Sequence, residues 1–365
     1  MKIQQIIAAL EAFAAPILQE SYDNIGLLTG NKNWDCTGVI CTLDATEAVI
    51  LEAKTNGCNL VVAHHPIIFS GLKKINGNNY IERTIIAAVK NDIAIYAMHT
   101  NLDNVLHGVN HKIADKLGLI NTQILAPKKG LLQKLYTFVP VKQAEQVRTA
   151  IFNAGGGNIG NYSECSFNAA GTSTFKGNEL TNPFVGKQGK RHEEEEIKIE
   201  VLFPAWLENS IVYALKKAHP YEEVAYDVVN LTNEFAQIGS GLLGNLPEPI
   251  DEHYFLQMLK TSFDLQVVRH TKLLHKPVQK VAVCGGAGSF LIDKAASAGA
   301  EIYITGDIKY HEFFDANNQL VVADIGHWES EQFTVELLMD VLQQNFPTFA
   351  VLKSKVKTNP VEYFI

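Results

Sequence analysis

The sequence contains no CxxC pair, and its cysteines are five in number and widely scattered. A disulfide framework and a thiolate zinc site both need paired cysteines, so neither is supported. An odd number of unpaired thiols is typical of a reducing compartment. We therefore expect a cytoplasmic protein with reduced cysteines.

Long apolar runs and a basic stripe are also lacking. No apolar stretch approaches the roughly 20 residues of a membrane span, so we expect no membrane partner. The 365-residue chain has 39 acidic and 31 basic residues, a net charge of −8, which does not favour nucleic-acid binding. Residues 1–20 show the pattern of an amphipathic helix rather than a signal peptide, because Glu11 interrupts the apolar stretch. The one dense charge run, Glu193–Glu196, is predicted to be a solvated loop.

Strand and helix patterns alternate in the first third of the chain. Predicted strands in "TGVICTLDA", "NLVVAHH" and "IAIYAMHTNLD" are separated by predicted helices near Thr46–Asn56 and Tyr80–Asn91. This order indicates a largely parallel sheet covered by helices. The same rhythm returns beyond residue 240 in "KVAVCGGAGSF", "EIYITGD" and "LVVADIG".

The middle of the chain has a different order of predicted strands and helices. Two β-α-β-like halves, opening with "KLYTFVP" and "IKIEVLFP", predict a ferredoxin-like βαββαβ unit. We therefore predict an α/β fold in which a discontinuous domain of two related halves is interrupted by an α+β insert. The predicted halves are residues 1–126 and 236–365, and the predicted insert is residues 127–235.

Two adjacent histidines, His64 and His65, end one of the predicted parallel strands and precede Pro66. In a regular strand neighbouring side chains diverge, but Pro66 predicts that the strand ends or turns here, which would let both serve one site. Ligands of parallel sheets gather at such carboxyl ends. The alternative is two buried neutral histidines, each with its own hydrogen-bond partners.

Further pairs of histidine and carboxylate lie four residues apart. His99 and Asp103 follow the next strand, where Asp103 could equally cap the following segment. His327 and Glu331 would share one face in the first turn of the last helix, where a carboxylate also suits the helix dipole. Without a metal, Glu331 would be an N-terminal carboxylate beside an incidental histidine.

Taken together, these clusters predict a metal site made of imidazole and carboxylate. The predicted ligands are His64, His65, Asp103, His327 and Glu331. Such a set suits zinc first, and also iron, manganese, cobalt or nickel. One catalytic zinc usually takes three protein ligands, so five predict two divalent ions about 3.5–4 Å apart. Candidates for proton transfer or for orienting ligands are His99, Asp307 and His311.

Two other motifs have simpler interpretations. "CGGAGSFLID" is not a dinucleotide fingerprint, because Leu291 stands at the third glycine position, and it has no P-loop lysine. It predicts a tight β-α turn that could also contact a substrate phosphate. "AHPYEEVAYDV", with His219, Glu222 and Glu223, is either another metal cluster or a loop entering a strand, and we favour the loop.

Five motifs in this order, "DNIGLLTG", "AHHPIIF", "HTNLD", "TGDIKYHEF" and "GHWESE", resemble the NIF-three-like family, which includes GTP cyclohydrolase I type 2 homologs. The insert is similar to the PII and CutA-like ferredoxin folds of longer bacterial members. One departure is Tyr22, where the family motif begins with Trp. The resemblance implies a dinuclear site made by the five predicted ligands. It also implies a toroidal homohexamer, a trimer of dimers, whose metal sites face the inner cavity.

The main hypothesis for function is a metal-dependent hydrolase that acts on a nucleotide-like or other phosphorylated small molecule. The alternative is a non-catalytic metal-binding or regulatory assembly whose insert senses a small ligand. An adaptor for nucleic acid or protein fits the acidic charge least well.

Overall fold

Residues 1–364 are described by a computed structural model in which helices and strands alternate along the chain. The chain divides into two units. The first unit combines Met1–Ala126 with the chain from Gln237 onward, and the second is Pro127–Ala236. The fold is mixed α/β, with a five-stranded, a six-stranded and a four-stranded sheet.

The helices and strands have the following bounds. From the N-terminus to residue 129 they are α1 (Ile3–Phe13), β1 (Gly26–Thr29), β2 (Val39–Asp44), α2 (Glu47–Thr55), β3 (Leu60–His65), α3 (Tyr80–Lys90), β4 (Ala94–Ala97), α4 (Thr100–Asp103), α5 (Val109–Lys116) and β5 (Ile120–Lys129). The middle elements are β6 (Leu132–Pro140), α6 (Ala144–Asn153), β7 (Phe167–Phe175), β8 (His192–Pro204), α7 (Glu208–Ala218) and β9 (Tyr226–Leu231). The last elements are β10 (Glu234–Ile250), α8 (Glu252–Ser262), β11 (Arg269–His270), β12 (Val278–Ala287), α9 (Ile292–Ser297), β13 (Ile302–Gly306), β14 (Val321–Asp324), α10 (His327–Glu331), α11 (Thr334–Asn345) and β15 (Val351–Lys353).

The five-stranded sheet of the first unit has the order β1-β4-β3-β2-β15. Its strands β15, β2, β3 and β4 run parallel, and β1 pairs antiparallel with β4 at the edge. Strands β2 and β3 are buried along nearly their whole length, as strands covered on both faces must be. The covering helices α2 and α3 are capped by the residues that precede them, Thr46 and Asn79, whose side chains accept hydrogen bonds from backbone amides in the first turn.

The six-stranded sheet of the first unit has the order β11-β14-β13-β12-β10-β5. Strands β12, β13 and β14 are parallel, whereas β10 and β11 pair antiparallel with their neighbours. A core of aliphatic side chains and two phenylalanines, Phe255 and Phe263, covers this sheet. In each of these two sheets the carboxyl ends of the parallel strands, four in the first sheet and three in the second, therefore lie at one edge.

The second unit contains one antiparallel sheet with the strand order β7-β8-β6-β9 and the helices α6 and α7. Its core holds aliphatic residues from both helices and from the inner face of the sheet. The chain order of its elements is β-α-β-β-α-β.

The prediction that Glu193–Glu196 forms a solvated loop is wrong. These residues lie in β8 and pair with β7. Glu196 is only 4% exposed, and its carboxylate accepts hydrogen bonds from the hydroxyl groups of Ser173 and Tyr221. The exposed members of the run alternate with it, so strand pairing orders a sequence that charge density alone places in solvent.

Among the helices of residues 1–364, none combines the length and the apolar character that crossing a lipid bilayer requires.

Candidate metal centre

Polar side chains gather where the parallel strands of the first unit end. Asp44 is the last residue of β2 and His65 is the last residue of β3, and these two strands are neighbours. His99 follows β4, and Asp307 follows β13. Asp103, expected at a strand end, instead lies in the short helix α4. Parallel strands deliver these groups to one edge, which is where ligands bind in such sheets.

The prediction that the strand ends before Pro66 is confirmed, because β3 ends at His65, but the chain has not yet turned at the two histidines. His65 pairs with Asp44 in the β2–β3 ladder, so both His64 and His65 belong to the strand. Their rings still approach to 4.9 Å between centroids. Different partners hold them, because Nδ1 of His64 contacts the Met98 carbonyl and Nδ1 of His65 contacts the Asp44 carboxylate, each at 2.8 Å.

His64 presents a free nitrogen inside the protein. Because its Nδ1 atom donates to the Met98 carbonyl, Nε2 carries a lone pair in the neutral ring. This Nε2 atom lies 3.6 Å from Oδ1 of Asp103 and 3.7 Å from Oε1 of Glu331. Both Nε2 of His64 and Oδ1 of Asp103 are buried without a hydrogen-bond partner. Such orphaned atoms are rare in proteins and are expected where an ion binds.

His65 and His327 form the other side of the cluster. Their Nε2 atoms are 3.3 Å apart, and Oε2 of Glu331 lies 2.9 Å from the first and 3.2 Å from the second. Each ring is held from behind by a carboxylate, His65 by Asp44 and His327 by Asp307, both at 2.8 Å. Carboxylates behind imidazoles are the usual means of orienting metal ligands.

Glu331 is common to two of the sets that could hold a metal ion. One set is His65, His327 and Glu331, and another is His64, Asp103 and Glu331. In each set, the ligand atoms lie within 4.8 Å of one another. The two oxygens of Glu331 face different sets, Oε1 toward His64 and Oε2 toward His65 and His327.

The raised pKa values of two histidines indicate that this cluster favours positive charge. Burial alone would lower the pKa of His65, but hydrogen bonds to Asp44 and Glu331 raise it to about 10. Burial also acts downward on His327, whose pKa the Glu331 carboxylate raises to about 9. Burial would raise the pKa of Glu331, yet the contact with His327 and the other imidazoles around it hold that pKa well below its ordinary value. Protons therefore occupy positions that a cation could take.

The pKa of Asp103 is raised, whereas that of Glu331 is lowered. Burial, and then the negative charge of Glu331, raise the pKa of Asp103 to about 7. Two carboxylates thus share a region where only one is readily ionised without an added cation. This like-charge pair fits a site built around a divalent ion.

His99 contacts a carboxylate that sequence reasoning did not include. Nδ1 of His99 lies 2.9 Å from Oδ1 of Asp23, and the other oxygen of Asp23 accepts hydrogen bonds from the amide and hydroxyl groups of Thr100. Burial would raise the pKa of Asp23, but these hydrogen bonds lower it to about 2. The His99 ring lies 5.3 Å from His64 and 5.4 Å from His65 between centroids. Asp23 opens the "DNIGLLTG" motif, which was the available signal.

The glycine-rich turn makes room for Glu331. Gly286 has φ +64°, and a Cβ atom added there would overlap Oε1 of Glu331 and lie 3.3 Å from Cε1 of His327. Its amide donates to the hydroxyl group of Ser330 at 2.9 Å. The contacts of this turn with the cluster explain the glycine without a phosphate.

A cleft of about 840 Å³ opens onto the cluster. Its walls include exposed aromatic rings, with Tyr22 and Phe69 at 6.3 Å between centroids and Tyr80 nearby along the lining. Arg269 is the one lysine or arginine that lines the cleft within residues 1–364. It pairs with Asp324 at 3.0 Å and remains half-exposed. This volume is typical of small-molecule sites.

Two predicted candidates lie elsewhere. His311 is exposed, packs against Tyr310 and Phe314, and does not line the cleft. His219 is buried, and both its ring nitrogens are used, Nε2 at the Phe138 carbonyl and Nδ1 as acceptor for the Tyr221 amide. The "AHPYEEVAYDV" stretch is therefore not a metal cluster centred on His219.

Comparison with known proteins shows similarity along the whole chain. A family model described as Duf34/NIF3 (NGG1p interacting factor 3) matches residues 1–360. A protein of Halalkalibacterium halodurans named GTP cyclohydrolase 1 type 2 homolog is 41% identical over 365 residues, covering 99% of this chain and 98% of its own. The Bacillus subtilis protein of the same name is 40% identical over 327 residues, covering 89% and 88%. A crystal structure of a Bacillus cereus protein related to NIF3 superposes with a TM-score of 0.87 at 38% identity, covering 100% of this chain and 99% of that one.

Proposed function

The chain belongs to the Duf34/NIF3 family, and from its side-chain cluster we propose that it is a dinuclear metal-dependent hydrolase of a nucleotide-like or other phosphorylated small molecule. The proposed ligands are His64 and Asp103 for one ion and His65 and His327 for the other, with Glu331 shared between them.

The spacing of the ligand atoms carries this proposal. Two nitrogen ligands of a tetrahedral zinc, each about 2.0–2.1 Å from the ion, stand about 3.3–3.4 Å apart. The Nε2 atoms of His65 and His327 are 3.3 Å apart. The second pair, Nε2 of His64 and Oδ1 of Asp103, is 3.6 Å apart, and both atoms lack a partner. An imidazole and carboxylate set of this kind accepts zinc first, and also iron, manganese, cobalt or nickel.

Bound there, divalent cations would supply Lewis-acid polarisation of an electrophile and would acidify water. The chain's own residues orient the ligands, because Asp44 and Asp307 fix the rings of His65 and His327. His99 is the remaining candidate for proton transfer, since Asp23 fixes its Nδ1 atom and leaves Nε2 for the cleft.

The side chains that line the cleft support a nucleotide-like or other phosphorylated substrate. Exposed rings of Tyr22, Phe69 and Tyr80 offer apolar faces to a planar group such as a nucleobase. Arg269 donates from its two terminal nitrogens to Asp324 and to the Ile308 carbonyl, and its remaining N–H groups are available to a phosphate in the cleft. The relatives named GTP cyclohydrolase 1 type 2 homolog also favour a nucleotide-like substrate.

We extend the proposal to the finer description of the fold. The second unit would be a ferredoxin-like insert of the PII/CutA type, supported by its β-α-β-β-α-β order and the sheet order β7-β8-β6-β9. The first unit would be a discontinuous domain of two related halves, supported by the parallel strands in each of its sheets.

The proposed assembly is a toroidal homohexamer, which follows from the family resemblance alone. Light scattering of the purified protein should then give about six times the 40.3 kDa chain mass. A monomer or dimer at micromolar concentration would contradict this part of the proposal.

The test of function combines metal content with turnover. Protein loaded with Zn²⁺ or Mn²⁺ should hold close to two ions per chain and hydrolyse a member of a panel of nucleotides, phosphoesters and cyclic amides. His65→Ala should abolish hydrolysis while the fold is retained. His270→Ala, an exposed histidine outside the cleft, is the matched control and should behave as the unmodified protein. Full metal content without turnover of any substrate would favour the alternative, a non-catalytic metal-binding or ligand-sensing assembly.

A further inference from the structure

The second unit contains a cavity of its own, about 510 Å³ in volume. Its walls come from the end of β7, the segment that follows it, Phe138 of β6, Glu196 of β8 and the segment preceding β9. Tyr221, Glu222 and Glu223 of the "HPYEEVAYDV" motif line it. This volume lies within the range of about 300–1,000 Å³ found for small-molecule sites.

Glu196 forms the polar floor of the cavity. It is 4% exposed, and its Oε1 atom accepts a hydrogen bond of 2.7 Å from the hydroxyl group of Tyr221. Its Oε2 atom accepts one from the hydroxyl group of Ser173. An ionised carboxylate can accept about four hydrogen bonds, so these two leave acceptor capacity facing the cavity.

Within residues 1–364 Glu196 forms no ion pair with a lysine, arginine or histidine, although Lys176 lines the same cavity. The charge of His219 could also interact with Glu196, but its Nδ1 atom accepts a hydrogen bond from the Tyr221 amide. That bond requires an unprotonated Nδ1 atom and therefore a neutral ring. A buried carboxylate without a counter-charge is unfavourable, and a bound cation would relieve this.

The side walls of the cavity are aromatic. The ring of Tyr221 lies 6.2 Å from Phe175 and 6.2 Å from Phe184 between centroids, with both pairs tilted. Phe184 is 53% exposed and comes from the segment between β7 and β8. Aromatic faces attract cations through their negative π clouds, most strongly where water is excluded.

The segment that covers the cavity is tied to the motif. Residues 176–191 connect β7 to β8 without forming a helix or strand. The amide of Asn182 donates to Oε1 of Glu222 at 2.8 Å, and the amide of Gly189 donates to the Gly177 carbonyl at 2.8 Å. Long connections without regular structure inside a folded unit usually serve a function, and binding is the most frequent one.

We propose that this cavity binds a small organic cation, an ammonium group on an apolar or methylated body, with Glu196 as its counter-charge and Phe175, Phe184 and Tyr221 as its walls. An anionic ligand fits poorly, since Glu196, Glu222 and Glu223 line the cavity against a single lysine, Lys176. A metal ion fits poorly too, because the sets of three metal-ligating side chains found within residues 1–364 all belong to the first unit. The proposal concerns the second unit alone and does not depend on the metal chemistry.

The experiment uses the full-length protein and two probes of the same shape. Choline carries a quaternary ammonium group, and its isostere dimethylbutanol has carbon in place of that nitrogen. In titration calorimetry we expect choline to bind at least about tenfold more tightly than dimethylbutanol, since cation–π and charge terms act on choline alone. Glu196→Gln should weaken choline binding by about tenfold or more and leave the metal content of the first unit unchanged.

Two further variants keep the result interpretable. Glu195→Gln lies next in the same strand with an exposed side chain and should bind choline as the unmodified protein does. Phe184→Leu removes one aromatic face from an exposed segment and should weaken choline binding about threefold or more without affecting folding, which provides the test if Glu196→Gln does not fold. Equal affinity for the two probes, unchanged binding by Glu196→Gln or Phe184→Leu, absence of choline binding at about 10 mM, or displacement of choline by Mg²⁺ would each overturn the proposal.

Discussion

The Nε2 atom of His64 lies 3.6 Å from the Oδ1 atom of Asp103, and neither of these buried atoms has a hydrogen-bond partner. The hydrogen bond from Nδ1 to the Met98 carbonyl directs a lone pair of Nε2 into the cluster. The separation is too long for a hydrogen bond but suits two ligands of one ion at bond lengths of about 2.0–2.2 Å. An otherwise unfavourable pair of acceptors thus becomes favourable when a cation lies between them.

Asp103→Asn should weaken metal binding and at the same time stabilise the metal-free protein. The carboxamide keeps the shape but removes a charge that crowds Glu331, which is why the pKa of Asp103 is raised to about 7. We expect the metal-free variant to unfold about 1–2 °C above the metal-free parent at pH 8, a shift of the size that about 1 kcal/mol produces in a chain of this length. Its metal content, measured by plasma mass spectrometry, should fall by about one ion per chain. Full metal content in Asp103→Asn and in His64→Ala would show that the proposed site is wrong.

Glu331→Gln should lower the metal content more than Asp103→Asn or His64→Ala does. Its two oxygens face different ligand sets, so one substitution weakens both. We expect loss of nearly all bound metal after dialysis against metal-free buffer. Glu329→Gln, two residues earlier in the same helix and bonded to Asn359 instead, is the matched control and should retain its metal. Equal metal content in the two variants would contradict the sharing of Glu331.

Much of the core of the first unit could be predicted from the sequence, since buried parallel strands are continuous aliphatic runs such as those of β2 and β3. The same logic placed His65 and His327 near one sheet edge, and the structure brings their Nε2 atoms to 3.3 Å. Asp44 was not anticipated as a partner of His65, because cross-strand register cannot be deduced from spacing within one strand.

Other features could not be predicted because they depend on packing between distant segments. Gly286 belongs to a motif that resembles a phosphate loop, yet the group that it accommodates is Glu331, which comes from a helix later in the chain. The strand at Glu193–Glu196 was missed because four consecutive glutamates are typical of a solvated loop. The hydroxyl groups that bind Glu196 come from distant parts of the chain and cannot be recognised from the local sequence.

Asp307→Asn tests the orientation of His327. Asp307 has φ +57°, a conformation that asparagine also tolerates, so the backbone should be unaffected. The variant loses the carboxylate that lies 2.8 Å from Nδ1 of His327, and metal affinity should fall by about 10–100-fold. Asp315→Asn, an exposed carboxylate nearby in the chain, should leave the affinity unchanged. Competition with a fluorescent chelator measures both, and a decrease below about twofold for Asp307→Asn would contradict this role.

Metal binding should strengthen as the pH rises. The pKa of His65 is raised to about 10 and that of His327 to about 9, so the stability that their protonated forms confer is present below about pH 6.5 and is lost as the pH rises through those values. A divalent ion must displace these protons, and its affinity should rise about tenfold per pH unit for each proton displaced. The increase in unfolding temperature on adding Mn²⁺ should therefore be larger at about pH 8 than at about pH 6. Glu331→Gln should show little increase at either pH, and an equal increase in the parent at both would contradict the assignment.

Gly286→Ala tests whether the glycine-rich turn serves the metal centre. The added methyl group would overlap Oε1 of Glu331 and would also impose a side chain at φ +64°. Gly299→Ala is the matched control, because Gly299 has φ +76° but its nearest neighbour, Nζ of Lys280, would be 3.8 Å away.

Both substitutions should lower the free energy of unfolding by about 1–2 kcal/mol through backbone strain. Only Gly286→Ala should also displace the Glu331 carboxylate, and its metal content should fall well below that of the parent. Thermal unfolding and plasma mass spectrometry on both variants measure the two effects separately. If Gly286→Ala retained its full metal content, the turn would have no part in holding Glu331, and a role in contacting the substrate would become the better explanation for its glycines.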